Sequence, residues 1–421
     1  MTGDEIHGLI SELYPICRSI TGNGVRRTLR RLAEEVPLKV HEVPSGTPVL
    51  DWTVPDEWNV REAFIEGPEG RRIVDFADHT LHLVSYSVPI NVELPLEELR
   101  PHLHSIPEQP DLIPYRTSYY QRDWGFCLPH RLLETMQPGT YRVHIDATLE
   151  PGALTYGELF IPGDEEGEVL VSVHCCHPSL ADDNLSGIGV AVALARALGR
   201  GANRFGYRFL FVPGTIGSIT WLDRNRGMLD RIRHGLVLTC VGDTHPFTYK
   251  RSRGGCSPID RAMTHLLASR PGADVVDFSP YGYDERQYCS PGFDLPVGCL
   301  MRGRHGRFRE YHTSADDLDF VHPDRLRDTV ELCLAAFRLL EADRRYRNLA
   351  PYGEPQLGRR GLYSALGGTA PEDTRLAVLW MLSFSDGEHS LLDIAERSGL
   401  ALATLKEAAA ALLSVGLLEE L

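Results

Sequence analysis

Residues 168–198 read EVLVSVHCCHPSLADDNLSGIGVAVALARAL, and this stretch decides the fold class. Its first part, Glu168–Val173, is a short and almost continuously apolar run, which is typical of a strand buried on both faces. In the second part, Leu185–Leu198, the apolar residues Ile188, Val192 and Ala195 recur at helical spacing. A buried strand followed by a helix is the repeating unit of a parallel or mixed sheet covered by helices.

The same rhythm continues across residues 150–345, so the sequence predicts an α/β domain with a mixed sheet. Residues 4–35 predict a helix interrupted at Gly22–Gly24. Between about 45 and 150, frequent prolines and short alternating runs such as His82–Tyr86 indicate a small, mostly β domain. The other apolar runs predicted as strands of the main sheet are Arg208–Val212, Leu236–Val241 and Leu295–Leu300.

The C-terminal part has its own pattern. A Gly/Pro-rich linker at 350–369 precedes three predicted helices and a turn at 415–418, which together indicate a winged helix. Residues 373–421 carry eight acidic side chains and only three basic ones, whereas DNA-binding surfaces are basic. We therefore predict a packing or interaction module rather than a DNA-binding domain.

Composition narrows the class of protein further. The 421 residues carry a net charge of −15, which disfavours nucleic acid and anionic membranes as partners. No apolar run approaches the ~18–20 residues of a membrane span, and the N-terminus lacks the pattern of a signal peptide. We therefore expect a cytoplasmic protein. Its nine cysteines are odd in number and show no zinc-ribbon spacing, so we also expect reduced thiols rather than a disulfide framework.

The strongest chemical signal is the loop after the first strand. It places His174, His177, Asp182 and Asp183 within ten residues, at the edge of the sheet where active sites form. Imidazole nitrogens and carboxylate oxygens are the ligands of a catalytic zinc, which keeps one position open for water. The alternative is that an aspartate only caps the following helix and the histidines are polar loop residues; we favour metal binding.

A second cluster, Glu310-Tyr311-His312-Thr313-Ser314-Ala315-Asp316-Asp317, follows the strand that ends near Met301. His312 is a candidate distant ligand, and Glu310 a candidate proton carrier or partner of a ligand. A capped loop before the next helix is an equally good interpretation of this cluster. Asp243, at another strand end, suits a metal ligand or a group that orients one.

Two other local patterns are weaker. Asp284, Glu285 and Arg286 stand beside aromatic residues, but a surface ion pair explains them best on local sequence alone. Cys175 and Cys176 suggest a nucleophilic thiol. Adjacent side chains of an extended segment point to opposite faces, so at most one of the two thiols faces the site. Neither a G-x-S-x-G elbow nor a phosphate-binding glycine loop occurs in the sequence.

Several long motifs resemble a bacterial zinc-aminopeptidase-like family related to the M28 peptidases, of the DUF4910/DUF2172 type. They are His-Cys-Cys-His-Pro-Ser (174–179), Asp-Asp-Asn-Leu-Ser-Gly (182–187), Asp-Glu-Arg-Gln-Tyr-Cys-Ser-Pro-Gly (284–292) and Glu-Tyr-His-Thr-Ser (310–314). The resemblance implies a phosphorylase/hydrolase-like α/β/α sandwich formed by residues 1–45 and 147–350. It also implies a nested small domain at 46–146 and a winged helix at 370–421.

The resemblance also implies a ligand set and one departure from it. The M28 ligands correspond here to His174 or His177, with Asp183, Asp243 and His312. Where M28 enzymes carry a general-base glutamate, this chain has Gly214, and Thr215 at the next position suggests one zinc rather than two. A positioned acid–base group contributes ~10²–10⁴-fold in rate, so the missing carboxylate matters.

Together these observations predict a zinc-dependent hydrolase of the aminopeptidase-like group that acts on a small amino-acid-derived amide or ester. Its substitute proton carrier is Glu285 or Glu310. The alternative is a non-hydrolytic metal-binding or interaction protein, or a zinc enzyme with altered chemistry in a biosynthetic pathway. The expected partner is a small molecule, and a homo-oligomer through the winged helix or nested domain is left open. The residues expected to contact the substrate are Arg286, Tyr288 and Tyr311.

Overall fold

The computed structural model of the chain describes residues 1–362 and 372–421. The end of the linker predicted at 350–369, and the first two residues of the domain predicted at 370–421, lie outside these ranges. The described chain forms two compact units, Met1–Cys333 and Leu334–Leu421. No helix of the described ranges combines the length and apolar character needed to cross a membrane.

The first unit is built on an eight-stranded mixed sheet in the order β1-β10-β12-β11-β13-β16-β14-β15. The four central strands, β12, β11, β13 and β16, run parallel to one another. All seven residues of β11 are buried, as the apolar run predicts. The strands are β1 (Lys39–Pro44), β10 (Ala153–Ile161), β11 (Glu168–His174), β12 (Gly206–Val212), β13 (Ile232–Leu238), β14 (Thr248–Lys250), β15 (Asp274–Val276) and β16 (Val297–Met301).

Helices connect these strands. The chain passes from β11 through one helix to β12 on one side, and then through another helix back to β13 on the other side. Because such crossovers are right-handed, these two helices cover opposite faces of the sheet. The helices are α1 (Gly3–Leu13), α2 (Asn23–Ala33), α3 (Leu96–Leu99), α4 (His130–Thr135), α5 (Gly187–Leu198), α6 (Ile216–Arg224), α7 (Pro258–Leu267), α8 (Glu285–Tyr288) and α9 (Pro323–Ala342).

The helix predicted over residues 4–35 is in fact two helices, and the interruption is longer than Gly22–Gly24. A capping box formed by Thr2 and Glu5 starts α1, which ends at Leu13, and the chain resumes as α2 only at Asn23. The intervening segment carries Arg18 into the interior, where its side chain is almost fully buried. This buried arginine contacts the candidate site, as described below.

The segment between β1 and β10 holds a four-stranded antiparallel sheet in the order β5-β4-β9-β6, so it is mostly β as predicted. The run His82–Tyr86 is not a strand: a 3₁₀ turn occupies Thr80–His82, and only isolated bridges follow it. The strands are β2 (Pro48–Val49), β3 (Trp52–Thr53), β4 (Glu57–Glu66), β5 (Arg72–Asp75), β6 (Ile90–Pro95), β7 (Leu103–His104), β8 (Phe126–Cys127) and β9 (Thr140–Glu150).

The second unit has the helices and wing predicted for a winged helix. A capping box between Ser390 and Asp393 starts its middle helix, and Gly399 ends that helix in the left-handed conformation. Its helices are α10 (Glu372–Phe384), α11 (Leu391–Ser398) and α12 (Leu402–Ser414). A three-stranded sheet accompanies them, formed by β17 (Arg345–Asn348), β18 (Asp386–Ser390) and β19 (Leu418–Glu420).

Candidate metal centre

The candidate site lies at the carboxyl ends of the parallel strands. His174 is the last residue of β11, and His177 and Asp183 belong to the loop between β11 and α5. His312 arrives from the loop after β16. The chain leaves β11 towards β12 on one side and later returns to β13 on the other, so this position is a topological switch point, where α/β proteins bind ligands.

The Asp183 carboxylate is surrounded by three imidazoles. Its Oδ1 lies 2.8 Å from His174 Nε2, and its Oδ2 lies 2.9 Å from His312 Nε2 and 4.0 Å from His177 Nε2. One ligand atom from each of His174, His177 and Asp183 lies within 4.8 Å of the others. Residues separated by 129 positions, Asp183 and His312, are therefore in direct contact.

Burial and neighbouring charges shift the pKa values of two residues of this cluster, His177 and Asp183. Burial lowers the pKa of His177 well below its usual value. Burial alone would raise the pKa of Asp183, but its histidine neighbours hold that pKa well below the usual range. A neutral imidazole and an ionised carboxylate are the forms in which these side chains bind metal ions.

A group of hydrogen bonds beneath the cluster fixes its loop. The Asp316 carboxylate accepts the backbone N–H groups of Asp182 and Asp183, at 2.6 and 3.0 Å. Burial raises the pKa of Asp316 to about 8. The Asn184 side-chain amide donates to the Leu238 carbonyl at 3.0 Å and lies 3.3 Å from His174 Nδ1. These contacts orient the ligand side chains from behind, as the outer shell of a metal site does.

Two distant segments hold the histidines through their backbones. The backbone N–H of Tyr115, in the segment between β1 and β10, donates to the His312 carbonyl at 2.8 Å, and the Tyr115 ring meets His177 and His312 edge-on. On the other side, the Arg18 guanidinium donates to the His177 carbonyl at 3.0 Å. The segment between β1 and β10 therefore contacts the site directly through Tyr115.

Asp243 lies at the predicted strand end but outside the cluster. Its Oδ2 accepts the Gly303 N–H at 3.0 Å, and its Oδ1 lies 2.9 Å from His245 Nδ1. The neighbouring Asp182 accepts the Gly242 N–H at 2.7 Å. These contacts join Asp243 to residues outside the His174–His177–Asp183–His312 cluster, so its role as a ligand or an orienting group stays a prediction.

The two carboxylates predicted to carry protons are placed differently from each other. Glu285 is fully buried and forms an ion pair with Lys250, which is also buried. Its carboxylate further accepts the backbone N–H of Tyr283. The interpretation of residues 284–286 as a surface ion pair is therefore not supported, since only Arg286 is exposed. Glu310 is half-buried in the loop that leads to His312.

Of the three residues predicted to contact substrate, only Tyr311 lies at the site. Tyr311 stacks on His312, with ring centroids 4.0 Å apart, so it lines the site. Tyr288 is fully buried, and its hydroxyl hydrogen-bonds to Ser172 at 2.8 Å inside the sheet. This burial gives Tyr288 a role in the core, and Arg286 points to solvent, so neither prediction is supported by the geometry.

Tyr283 occupies the space beside Gly214. Its ring lies against His174 with centroids 3.7 Å apart. A Cβ atom added to Gly214 would stand 2.1 Å from the Tyr283 hydroxyl oxygen, which is far inside any normal contact. The phenol therefore fills the position in which a longer side chain at residue 214 would lie.

The donor set fits a zinc ion. Zinc bonds of 2.0–2.1 Å place tetrahedral ligands about 3.3 Å apart, and the separations around Asp183, from 2.8 to 4.0 Å, bracket that value. Three of the four donor residues are buried and His312 is partly exposed, and the second ring nitrogen of His174 lies beside the Asn184 amide. His174, His177, Asp183 and His312 would hold the ion.

Some residues that build this site were not predicted from the sequence. Arg18 carries no local signal, because its guanidinium reaches the His177 carbonyl from a distant segment. The hydrogen bond from the Tyr115 backbone to His312 also joins segments that are distant in the sequence. Asp316 belongs to the Glu310–Asp317 motif, but no role was predicted for it from the sequence. His305 is buried near Tyr283 and Tyr311, and its Nε2 lies 3.2 Å from Thr239 Oγ1.

Comparison with protein families gives two matches. The family model described as a domain of unknown function (DUF4910) matches residues 7–343, and a winged helix-turn-helix model matches residues 344–420. A Clostridium acetobutylicum protein named for polysaccharide biosynthesis and an aminopeptidase-like domain is 48% identical over 422 residues, covering 99% of this chain and 96% of that protein.

Solved structures give the fold. A Clostridium acetobutylicum protein solved as a candidate peptidase superposes with a TM-score of 0.92 at 47% identity, covering 100% of this chain and 96% of that one. The zinc aminopeptidase of Bacillus subtilis superposes with a TM-score of 0.58 at 14% identity, covering 80% of this chain and 94% of that one. The aminopeptidase-like fold predicted from the motifs is therefore confirmed.

Proposed function

Because the chain belongs to the family described as a domain of unknown function (DUF4910) and has an aminopeptidase-like fold, we propose that it is a zinc-dependent hydrolase of a small amino-acid-derived amide or ester. The observation that carries the proposal is the convergence of His174, His177 and His312 on the Asp183 carboxylate. Three imidazoles and one carboxylate are a zinc ligand set, and the carboxyl ends of parallel strands are where α/β proteins bind ligands, which supports this proposal.

Each residue of the cluster has a defined task in this proposal. A zinc ion bound there would polarise the scissile carbonyl and lower the pKa of a bound water towards ~7. Asp183 supplies the negative charge, and Asp316 and Asn184 keep the ligands oriented. Tyr115 and Tyr311 form aromatic walls beside His312, which restrict the space for substrate and favour a small molecule.

The proton carrier decides which substrates are accessible. Glu285 is engaged by Lys250 and by the Tyr283 backbone, so Glu310 is the freer of the two predicted carboxylates. A site without a well-placed general base is most effective on bonds that have a good leaving group. The alcohol of an ester is a better leaving group than the amine of an amide. We therefore favour an ester or an activated amide over an ordinary peptide.

The test uses the full chain in a zinc-loaded and a chelator-treated form, with L-leucine methyl ester and L-leucinamide as substrates. We expect zinc-dependent hydrolysis of the ester that exceeds that of the amide, and its loss in Asp183→Asn. His245→Ala, which changes an imidazole outside the cluster, is the matched control and should retain activity. Turnover that is unaffected by zinc removal or by Asp183→Asn would contradict the proposal.

The non-hydrolytic alternative is favoured by one observation, the Lys250–Glu285 pair, which withdraws a carboxylate from the site. It predicts zinc binding without hydrolysis of either substrate. The name of the Clostridium relative places that protein in polysaccharide biosynthesis, and we extend this to the present chain only as a proposal that its substrate belongs to a biosynthetic pathway.

A further inference from the structure

Tyr283 has features that the proposed ligand set does not explain. It is only partly buried, and its ring covers one side of His174. Among the described residues, the hydrogen-bond partner of its hydroxyl is the Cys176 thiol, 3.6 Å away. A thiol is a weak partner, whereas phenols in such positions usually bind an oxygen. The hydroxyl therefore retains the capacity to donate a strong hydrogen bond.

The position of this hydroxyl is strongly constrained. Gly214 leaves the space that the phenol oxygen occupies, because any Cβ at residue 214 would overlap that oxygen. The backbone N–H of Tyr283 donates to the Glu285 carboxylate, which forms an ion pair with the buried Lys250. A second anchor is the next residue, Asp284, whose carboxylate accepts the Thr215 N–H at 2.7 Å.

The second anchor also fixes the loop that faces the phenol. Asp284 Oδ1 accepts from Ser218 Oγ at 2.9 Å as well as from Thr215, so it ties the start of α6 to Tyr283. Thr215 has a φ of 62°, in the left-handed region that a threonine rarely adopts. The loop and the phenol are thus held against each other beside His174, which is the arrangement expected of a preorganised donor.

We propose that the Tyr283 hydroxyl is a catalytic hydrogen-bond donor that binds the substrate's carbonyl oxygen as negative charge develops on it beside the His174–His177–Asp183–His312 cluster. No bond to the phenol forms or breaks, and its proton stays on Tyr283. The inference rests on the proposed function, because it assigns a second source of charge stabilisation to the same site. It also gives Gly214 a reason: a larger residue there would displace the hydroxyl.

The test measures binding by calorimetry to the zinc-loaded full chain. The probes are the phosphonic-acid analogue of L-leucine, which is tetrahedral and anionic, and planar L-leucinamide. Tyr283→Phe keeps the ring on His174 and removes only the hydroxyl. Removing one such donor costs ~10²–10³-fold in catalysis, so we expect the phosphonate to bind about 10²-fold more weakly and leucinamide to bind as before.

Two further variants separate the hydroxyl from general effects. Tyr281→Phe removes the hydroxyl of an exposed neighbouring tyrosine, and should leave both affinities unchanged. Gly214→Ala keeps the phenol but displaces its oxygen, and should reproduce the loss seen in Tyr283→Phe. Zinc content, measured by mass spectrometry, should be equal in all four proteins.

The outcomes are distinct. Equal phosphonate affinity in wild type and Tyr283→Phe overturns the role of Tyr283 while leaving the proposed function standing. Failure of the zinc-loaded wild type to bind either probe overturns the proposed function and the inference with it. Loss of zinc from Tyr283→Phe would show that the phenol acts through the ligands, which also contradicts a donor that contacts substrate.

Discussion

Replacing Gly214 by glutamate would put a carboxylate where the M28-like resemblance expects a general base. The structure predicts that this change alone destabilises the protein and does not increase amide hydrolysis. The new Cβ would lie 2.1 Å from the Tyr283 hydroxyl oxygen and 2.5 Å from its Cε1 atom, whereas ordinary contacts begin near 3.4 Å. The phenol would have to leave its place against His174. Overpacking of this kind costs ~1–3 kcal/mol of the free energy of unfolding.

The assay is urea unfolding of the zinc-free chain, followed by tryptophan fluorescence. Four of the five tryptophans, Trp52, Trp58, Trp124 and Trp221, lie in the first unit, so the signal reports mainly on it. We expect Gly214→Glu to lower the unfolding midpoint. In the double variant with Tyr283→Ala, the freed space accepts the new side chain. The effects of mutating two contacting residues couple by ~0.5–3 kcal/mol. The double variant should therefore lose less free energy of unfolding than the two single variants lose together.

Activity gives a second comparison of the same variants. Gly214→Glu alone should not gain hydrolysis of leucinamide, because it displaces the Tyr283 hydroxyl. The double variant has room for the carboxylate and should hydrolyse the amide faster than Tyr283→Ala does. An unchanged unfolding midpoint in Gly214→Glu, or additive effects in the double variant, would refute the conclusion that Tyr283 fills this space.

Three further predictions follow from other contacts. Lys250→Met should lower the free energy of unfolding by ~3–5 kcal/mol, measured in urea, because it leaves the Glu285 carboxylate buried without its partner; Lys39→Met, at an exposed site, is the control. Asp316→Ala should weaken zinc binding ~10–100-fold in a chelator competition, because the Asp183 loop loses its anchor, and an unchanged affinity would contradict that role. The acidic C-terminal unit should not bind duplex DNA in fluorescence anisotropy at low salt, and salt-dependent binding would contradict an interaction module.

The fold, and the residues that meet around Asp183, were accessible from sequence because both depend on local patterns. The buried run Glu168–Val173 is read directly as a strand, and parallel strands bring their carboxyl ends to one edge, which is why His174 and His312 could be expected to meet. Asp243 also follows a parallel strand, β13, five residues after it ends. Which atoms its carboxylate faces depends on the loop of Gly303, which no periodicity encodes.

The remainder of the site depends on packing between distant segments. Nothing near Glu285 in the sequence indicates that Lys250 neutralises it, since Lys250 ends β14, Glu285 begins α8, and the two meet only in the folded protein. The contact of Tyr283 with Gly214 has the same character: a glycine suggests the absence of a base, but not the identity of the side chain that takes its volume. Tyr115 supports His312 through a backbone hydrogen bond, to which its side-chain type contributes no signal.

The central claim is that two clusters far apart in the sequence bind one metal ion between them. Zinc titration of the metal-free chain, in competition with a chromogenic chelator, tests it directly when wild type, His312→Ala and the control His245→Ala are compared. We predict one zinc per chain in wild type and in His245→Ala, and an affinity at least about tenfold lower in His312→Ala. Equal affinity in all three proteins, or no zinc bound by the wild type, would contradict the claim.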